Sequence, residues 1–220
     1  VSVLVGEALL IRQQPTLGEM LSTLVGVNAS YYGPNASRPV IRGFDGDRIR
    51  ILQNGVGLLD ASATSVDHAV ALETLTTKRI DVVRGPGTLL YGPNAIGGVV
   101  NVIDGRIPFE APAGISGAVD ARYASPASEL AFAGAVDVAL ESGLAFHVDG
   151  FTRKTSDLRI PDYARSARLR EIDPLPPDED EPRGRLPNSA SDSDGGAFGL
   201  AFNGKDGSLG ASVTRYDSDY

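Results

Sequence analysis

The sequence predicts an α+β domain over residues 1–104, followed over 105–220 by antiparallel strands of a transmembrane β-barrel. Three observations predict it. The first half mixes short apolar strands with one run of helical spacing. The second half alternates with period two over segments of about ten residues. The loops between those segments are short at one end and long at the other.

Residues 1–5 form a short apolar strand. Leu17, Leu21, Leu24 and Val25 recur at helical spacing with Met20 beside them, and Thr16 with Glu19 makes a capping box ahead of the run. Residues 40–42 and 48–52 are strand-like, joined by the turn-forming Phe44, Asp45, Gly46 and Asp47. Asn54-Gly55 marks a tight turn between apolar segments. Residues 80–83 and 99–103 are two further strands, separated by a stretch rich in Gly and Pro. Gly and Pro interrupt the pattern again at 104–108, the seam between the halves. Charge changes there too: residues 1–104 carry net −1 and residues 105–220 net −7, out of −8.

Beyond the seam, Ile115, Gly117, Val119, Ala121 and Tyr123 alternate with Ser116, Ala118, Asp120 and Arg122. Leu130, Phe132, Gly134, Val136, Val138 and Leu140 continue the pattern, as do Leu144, Phe146 and Val148 opposite Ala145, His147 and Asp149. Phe198, Leu200 and Phe202, then Leu209, Ala211 and Val213, resume it. The alternation by itself suits a soluble sheet with one wet face as well as a membrane barrel. Loop lengths favour the barrel. The turns at 141–143 and 203–207 are short and, by strand parity, share one end. The segment 154–193 at the other end is long, Pro-rich and charged. Outer-membrane barrels put tight turns on the periplasmic side and long loops outside. A structureless loop of that length is unusual in a compact soluble domain.

Composition removes several function classes. An acidic net charge argues against nucleic acid as partner. The absence of cysteine excludes disulfides, CxxC redox chemistry, Fe–S clusters and thiolate zinc sites. No apolar run approaches the ~18 residues of a membrane-spanning helix. With two histidines and no nucleophile motif around either, no hydrolytic triad is framed, and the sequence is read as that of a non-enzyme. Asp45-Gly46-Asp47 and Asp192-Ser193-Asp194-Gly195 lack the other ligands of a calcium loop, and Gly55-Val56-Gly57 lacks the rest of a dinucleotide fingerprint. The chain opens at Val1 without a leader and stops at Tyr220 inside an alternating segment, so a piece of a longer protein is expected.

Arg38-Pro39-Val40-Ile41-Arg42-Gly43-Phe44, Asn54-Gly55-Val56, the run 79–92 and the run 95–103 together resemble the plug domain of TonB-dependent outer-membrane receptors. They occur in family order across residues 1 to about 104. Residues 62–92 and the linker 104–108 most resemble the zinc-uptake receptors. The resemblance implies a plug inside an outer-membrane barrel of about 22 strands, of which five are here; an open barrel edge is not viable in a membrane. It also implies contact with outer-membrane lipid, the TonB complex as partner, and active import of a scarce nutrient. Zinc is expected as transported ligand, not as cofactor. Copper, an iron–siderophore, haem or a vitamin is the alternative cargo, and a soluble β-rich binding or adhesion module is the second alternative. The coupling box that binds TonB precedes the plug in this family and lies outside these residues.

Candidate sites follow. The structural motif of the plug comprises Arg42, Gly43, Asp81, Arg84, Gly85, Pro86, Gly97 and Gly98. Its glycines let the backbone turn sharply or pack closely. Arg42 and Arg84 are expected to hold carboxylates in bidentate fashion. Asp81 stands where the family usually has Glu. Asp67 and His68 are adjacent metal-ligating types, each able to give one ligand to zinc, and the resemblance implies that a pair at this position helps bind the metal. A pair cannot complete a tetrahedral site, so further ligands must come from barrel loops. His147 and Asp149 share the small-and-polar face of one strand and are expected to line the lumen. The acidic tract 178–181 is expected to be a solvated charge run.

Overall fold

The computed structural model describes residues 1–65, 67–111, 113–176 and 179–220. Pro177 and Asp178, the start of the acidic stretch, therefore lie outside the described residues.

Apolar alternation builds the first half around one sheet. Its strands are β1 (Ser2–Val5), β4 (Ile49–Gln53), β5 (Val56–Gly57), β6 (Arg79–Val83) and β7 (Gly98–Ile103), in the order β1-β6-β7-β4-β5. β1, β6 and β7 run antiparallel, whereas β4 lies parallel to β7. A second pair, β2 (Val27–Ala29) with β3 (Pro39–Ile41), closes the core beside two short helices, α1 (Glu7–Leu10) and α2 (Leu17–Leu21). Leu17, Met20, Leu21, Ile41, Ile51, Ile80, Val82, Val100 and Val102 form one buried cluster.

The capping box starts α2 as expected, with one change of donor. Thr16 Oγ1 accepts from the Glu19 N–H at 3.3 Å and donates to Glu19 Oε2 at 2.9 Å. The helix is shorter than its spacing suggested: it stops at Leu21, and Val25 is 92% exposed. Asn54 and Gly55 both adopt positive φ, +52° and +81°, as a tight β4–β5 hairpin demands. Gly97 serves close approach, because a Cβ there would overlap Phe44 Cβ and sit 2.6 Å from Ile49 Cδ1.

The five alternating segments form one antiparallel sheet: β8 (Gly114–Ala124), β9 (Glu129–Ala139), β10 (Leu144–Lys154), β13 (Asp192–Gly204) and β14 (Gly207–Asp219), in the order β14-β13-β10-β9-β8. Register runs unbroken from Leu144↔Phe202 to Lys154↔Asp192, so the β9–β10 and β13–β14 turns share one end. One face carries Val119, Phe132, Val136, Val148, Phe198 and Leu209, all exposed. The other face covers the first domain and buries Ala131, Ala145, His147, Arg153 and Ala201. Among the described residues β8 and β14 are the edges of this sheet.

The long segment between β10 and β13 is not a structureless loop. It contains β11 (Arg159–Tyr163) paired with β12 (Arg183–Arg185), and α3 (Ala167–Ile172) capped by Ser166. The Tyr163 ring lies beneath the Arg170 guanidinium at 3.9 Å and beside that of Arg183 at 5.0 Å. Glu181 pairs with Arg165 at 3.6 Å and is largely buried, which corrects the expectation of a solvated run at that residue. Stacking and charge pairing order this segment where apolar burial does not.

Candidate functional site

The first domain meets the sheet along a polar seam with three contact regions. At the long-loop end, the Ala69 N–H donates to the Tyr220 hydroxyl at 2.9 Å. Below it, Arg153 of β10 donates to Glu73 Oε1 at 2.6 Å, to Glu129 Oε1 at 2.7 Å and to Thr74 Oγ1 at 3.3 Å. Arg122 of β8 reaches the Gln13 carbonyl and lies 3.5 Å from Glu129.

The linker between the halves forms the second region. Asp104 accepts from Gln53 Nε2 at 3.0 Å, Asn54 Nδ2 at 2.9 Å and Arg106 Nε at 2.7 Å. Burial raises the Asp104 pKa, but the Arg106 side chain and N–H and the Asn54 amide outweigh it, holding the carboxyl below its usual range. Arg106 also donates to Thr214 of β14 at 3.2 Å. Glycines of β13 and β14 make room for the linker: a Cβ at Gly199 would overlap the Arg106 carbonyl, and one at Gly210 would overlap Ile107 Cγ2.

In the third region, Lys78 Nζ sits 2.8 Å from Asp137 Oδ2 of β9. Asp137 Oδ1 is 2.6 Å from His147 Nδ1, and His147 Nε2 is 2.8 Å from Asp149 Oδ2. His147 and Asp149 thus lie on the face that covers the first domain, at the seam between the two.

Asp67 and His68 lie on an exposed loop after the turn Ala61–Ala63. Asp67 Oδ1 is 3.1 Å from His68 Nδ1, and the Ser65 hydroxyl donates to the same oxygen. Those two hydrogen bonds hold the Asp67 carboxyl below its usual range. The arrangement differs from two ligands offered side by side. Asp67 orients the imidazole, and no hydrogen bond is made to His68 Nε2 among the described residues. A carboxylate behind a histidine is a common way to fix a metal-binding ring. Among the described residues no group of three His, Cys, Asp or Glu could by itself hold a metal ion. The loop sits at the long-loop end of the sheet, since the neighbouring Ala69 meets Tyr220 just beyond β14.

Among the described residues the two motif arginines clamp no carboxylate. Arg42 leaves β3 at φ +52°, is exposed, and forms no ion pair among the described residues; its N–H donates to the Gly26 carbonyl at 3.0 Å. With Gly43 at φ +82° it makes the turn that returns the chain to Phe44. Arg84 donates to the Val25 carbonyl at 2.5 Å and to Ser2 Oγ, the acceptors available at that sheet edge. The anchoring arginine of the segment 38–44 is Arg38. It is 2% exposed and donates to Ser62 Oγ and to the Gly46 carbonyl at 3.3 Å. Asp81 accepts from Arg79 at 2.9 Å. Gly85, at φ +82°, opens the turn Pro86–Tyr91, and Gly98 packs against Ile41.

Charge pairing between Arg153 and Glu73 escaped the sequence reading because the partners are 80 positions apart. Strand parity could have found the wall half: Arg153 shares its face with His147 and Asp149.

Comparison with known proteins gives one family description, "TonB-dependent Receptor Plug Domain", matching residues 1–99. The vitamin B12 transporter BtuB of Photobacterium profundum is 31% identical over 118 residues, which are 53% of this chain and 19% of that protein. BtuB of Vibrio vulnificus is 33% identical over 94 residues, 41% of this chain and 15% of that protein. Among solved structures, the ferric enterobactin receptor PfeA of Pseudomonas aeruginosa superposes with a TM-score of 0.71 at 19% identity, over 100% of this chain and 33% of its own. The copper transporter OprC gives a TM-score of 0.67 at 19% identity, over 91% of this chain and 27% of its own. The chain spans a third or less of the length of each of these proteins.

Proposed function

We propose that the chain is the plug and first wall strands of a TonB-dependent receptor, residues 1–99 matching that family's plug domain, and that it gates import of a scarce nutrient through a bacterial outer-membrane barrel. Residues 1–104 act as the plug. The inner face of β8–β10, β13 and β14 is the first part of the wall, and its apolar outer face meets lipid. The TonB complex supplies energy from the periplasmic side. The observation that carries this reading is the two-faced sheet, with exposed Val119, Val136 and Leu209 on one side and buried Ala131, His147 and Arg153 against the plug on the other.

For cargo we infer a metal ion, zinc before others. Its support is the Asp67–His68 pair, 3.1 Å apart and exposed at the outer end of the plug. A neutral imidazole nitrogen suits zinc, which takes nitrogen and oxygen ligands in tetrahedral geometry. The remaining ligands would come from loops of the rest of the barrel. A second reading, cobalamin, is favoured by the likeness to vitamin B12 transporters. Calorimetric titration of the complete receptor and of its Asp67→Ala and His68→Ala variants, with zinc and separately with cyanocobalamin, distinguishes them. Zinc binding weakened in His68→Ala supports the zinc reading. Unchanged zinc affinity in both variants, or binding of cyanocobalamin without zinc, overturns it.

A further inference from the structure

His147 is 1% exposed, and gating by the plug leaves it no assigned task. Its ring lies between two carboxylates, Nδ1 2.6 Å from Asp137 Oδ1 and Nε2 2.8 Å from Asp149 Oδ2. A neutral imidazole offers one N–H and one lone pair. It could donate to one carboxylate only, and would turn its lone pair on the other. Two carboxylate acceptors at these distances call for two N–H donors, which is the imidazolium form. The other oxygen of Asp137 takes the plug's Lys78 at 2.8 Å. Lys78 is fixed in its turn, since its N–H donates to the Ile103 carbonyl at 2.8 Å.

We propose that Asp137, His147 and Asp149 form a proton-dependent seat in the barrel wall that holds the plug through Lys78. With His147 protonated, two carboxylates face one imidazolium and one ammonium, and the charges balance. When pH rises until the ring loses a proton, one carboxylate faces a lone pair, the ring must turn, and Asp137 is no longer aligned for Lys78. Charge around the seat comes from every side. Asp104 and Arg106 of the linker pair with each other, and Glu73 of the plug and Arg215 of β14 line the cavity that Asp149 also lines. The residues opposite the seat on the adjoining strands, Ser116 of β8 and Gly199 of β13, are uncharged. The proposal rests on residues 1–104 being the plug and is independent of the cargo.

The test uses the complete receptor in bilayers. Hydrogen exchange of the peptide spanning 76–83, corrected for the intrinsic rate, is followed from neutral to alkaline pH. Loss of one charged hydrogen bond corresponds to about tenfold in protection, so wild type loses about that factor in a single step. His147→Gln, neutral throughout, shows no step. Lys78→Met is weakly protected at every pH while nitrogen NMR still finds both His147 ring nitrogens protonated at neutral pH. A neutral tautomer at neutral pH, or the same step in His147→Gln, overturns the seat; the NMR arm decides if His147→Gln fails to fold. A bifunctional thiol cross-linker on Lys78→Cys with Asp137→Cys, residues 1–220 themselves holding no cysteine and any cysteine elsewhere in the receptor replaced by serine, separates the two levels. No cross-link contradicts the plug reading itself, whereas a cross-link without a pH step contradicts the seat alone.

Discussion

Arg153 and Glu73 meet at 2.6 Å with side chains 4% and 5% exposed, so one guanidinium from β10 ties down the segment of the first domain that leads to the Asp67–His68 loop. The same guanidinium holds Glu129, itself 3% exposed. Removing one partner of a buried pair leaves an uncompensated charge, which costs about 3–5 kcal/mol. Arg153→Met is therefore expected to destabilise the docked plug by that order. Arg153→Lys, a point charge without the fork, should lose less. Urea unfolding of the complete receptor, followed by a probe in the plug, measures both.

Asp104 sets an acid limit on the linker. Its carboxyl lies below its usual range when folded and near about 3.9 when unfolded. Its contribution is thus complete above the unfolded value and is lost as pH falls through the folded one. Exchange at residues 104–108 should rise on acidification below about pH 4. Asp104→Asn should raise exchange already at neutral pH and remove the acid step.

Gly97 is required for packing. A Cβ at this position overlaps Phe44 and meets Ile49 Cδ1 at 2.6 Å, so Gly97→Ala should cost about 1–3 kcal/mol through overpacking. Gly87→Ala is the control, because its Cβ would meet Val83 Cγ1 at an ordinary 3.6 Å. Thermal unfolding of the two variants should separate them clearly.

The start of α2 depends on one hydroxyl. Thr16→Ala removes the acceptor for the Glu19 N–H and should cost about 1 kcal/mol, with Thr16→Ser retaining most of it. The same unfolding measurement reads this difference.

Local signals in the chain were strong where a residue type answers to backbone geometry. Thr16 with Glu19, Asn54-Gly55 and the period-two segments each specify their own element, and the register from Leu144↔Phe202 to Lys154↔Asp192 follows from that alternation. Contacts between distant elements were not legible. Nothing local says that β4 runs parallel to β7 or that Arg84 meets a carbonyl and a hydroxyl instead of a carboxylate. Val25 fits helical spacing, yet α2 has ended before it and the residue is exposed. Asp67 and His68 were legible as a pair of ligand types, but their hydrogen bond, which makes one residue orient the other, depends on side-chain rotation that spacing does not encode.

The most direct measurement is uptake of radiolabelled zinc by cells carrying the complete receptor, with and without a protonophore. Zinc import driven through TonB entails saturable uptake that the protonophore abolishes and that His68→Ala reduces severely. Energised uptake of cyanocobalamin or a ferric chelate, with zinc uptake no greater than in cells lacking the receptor, would contradict it.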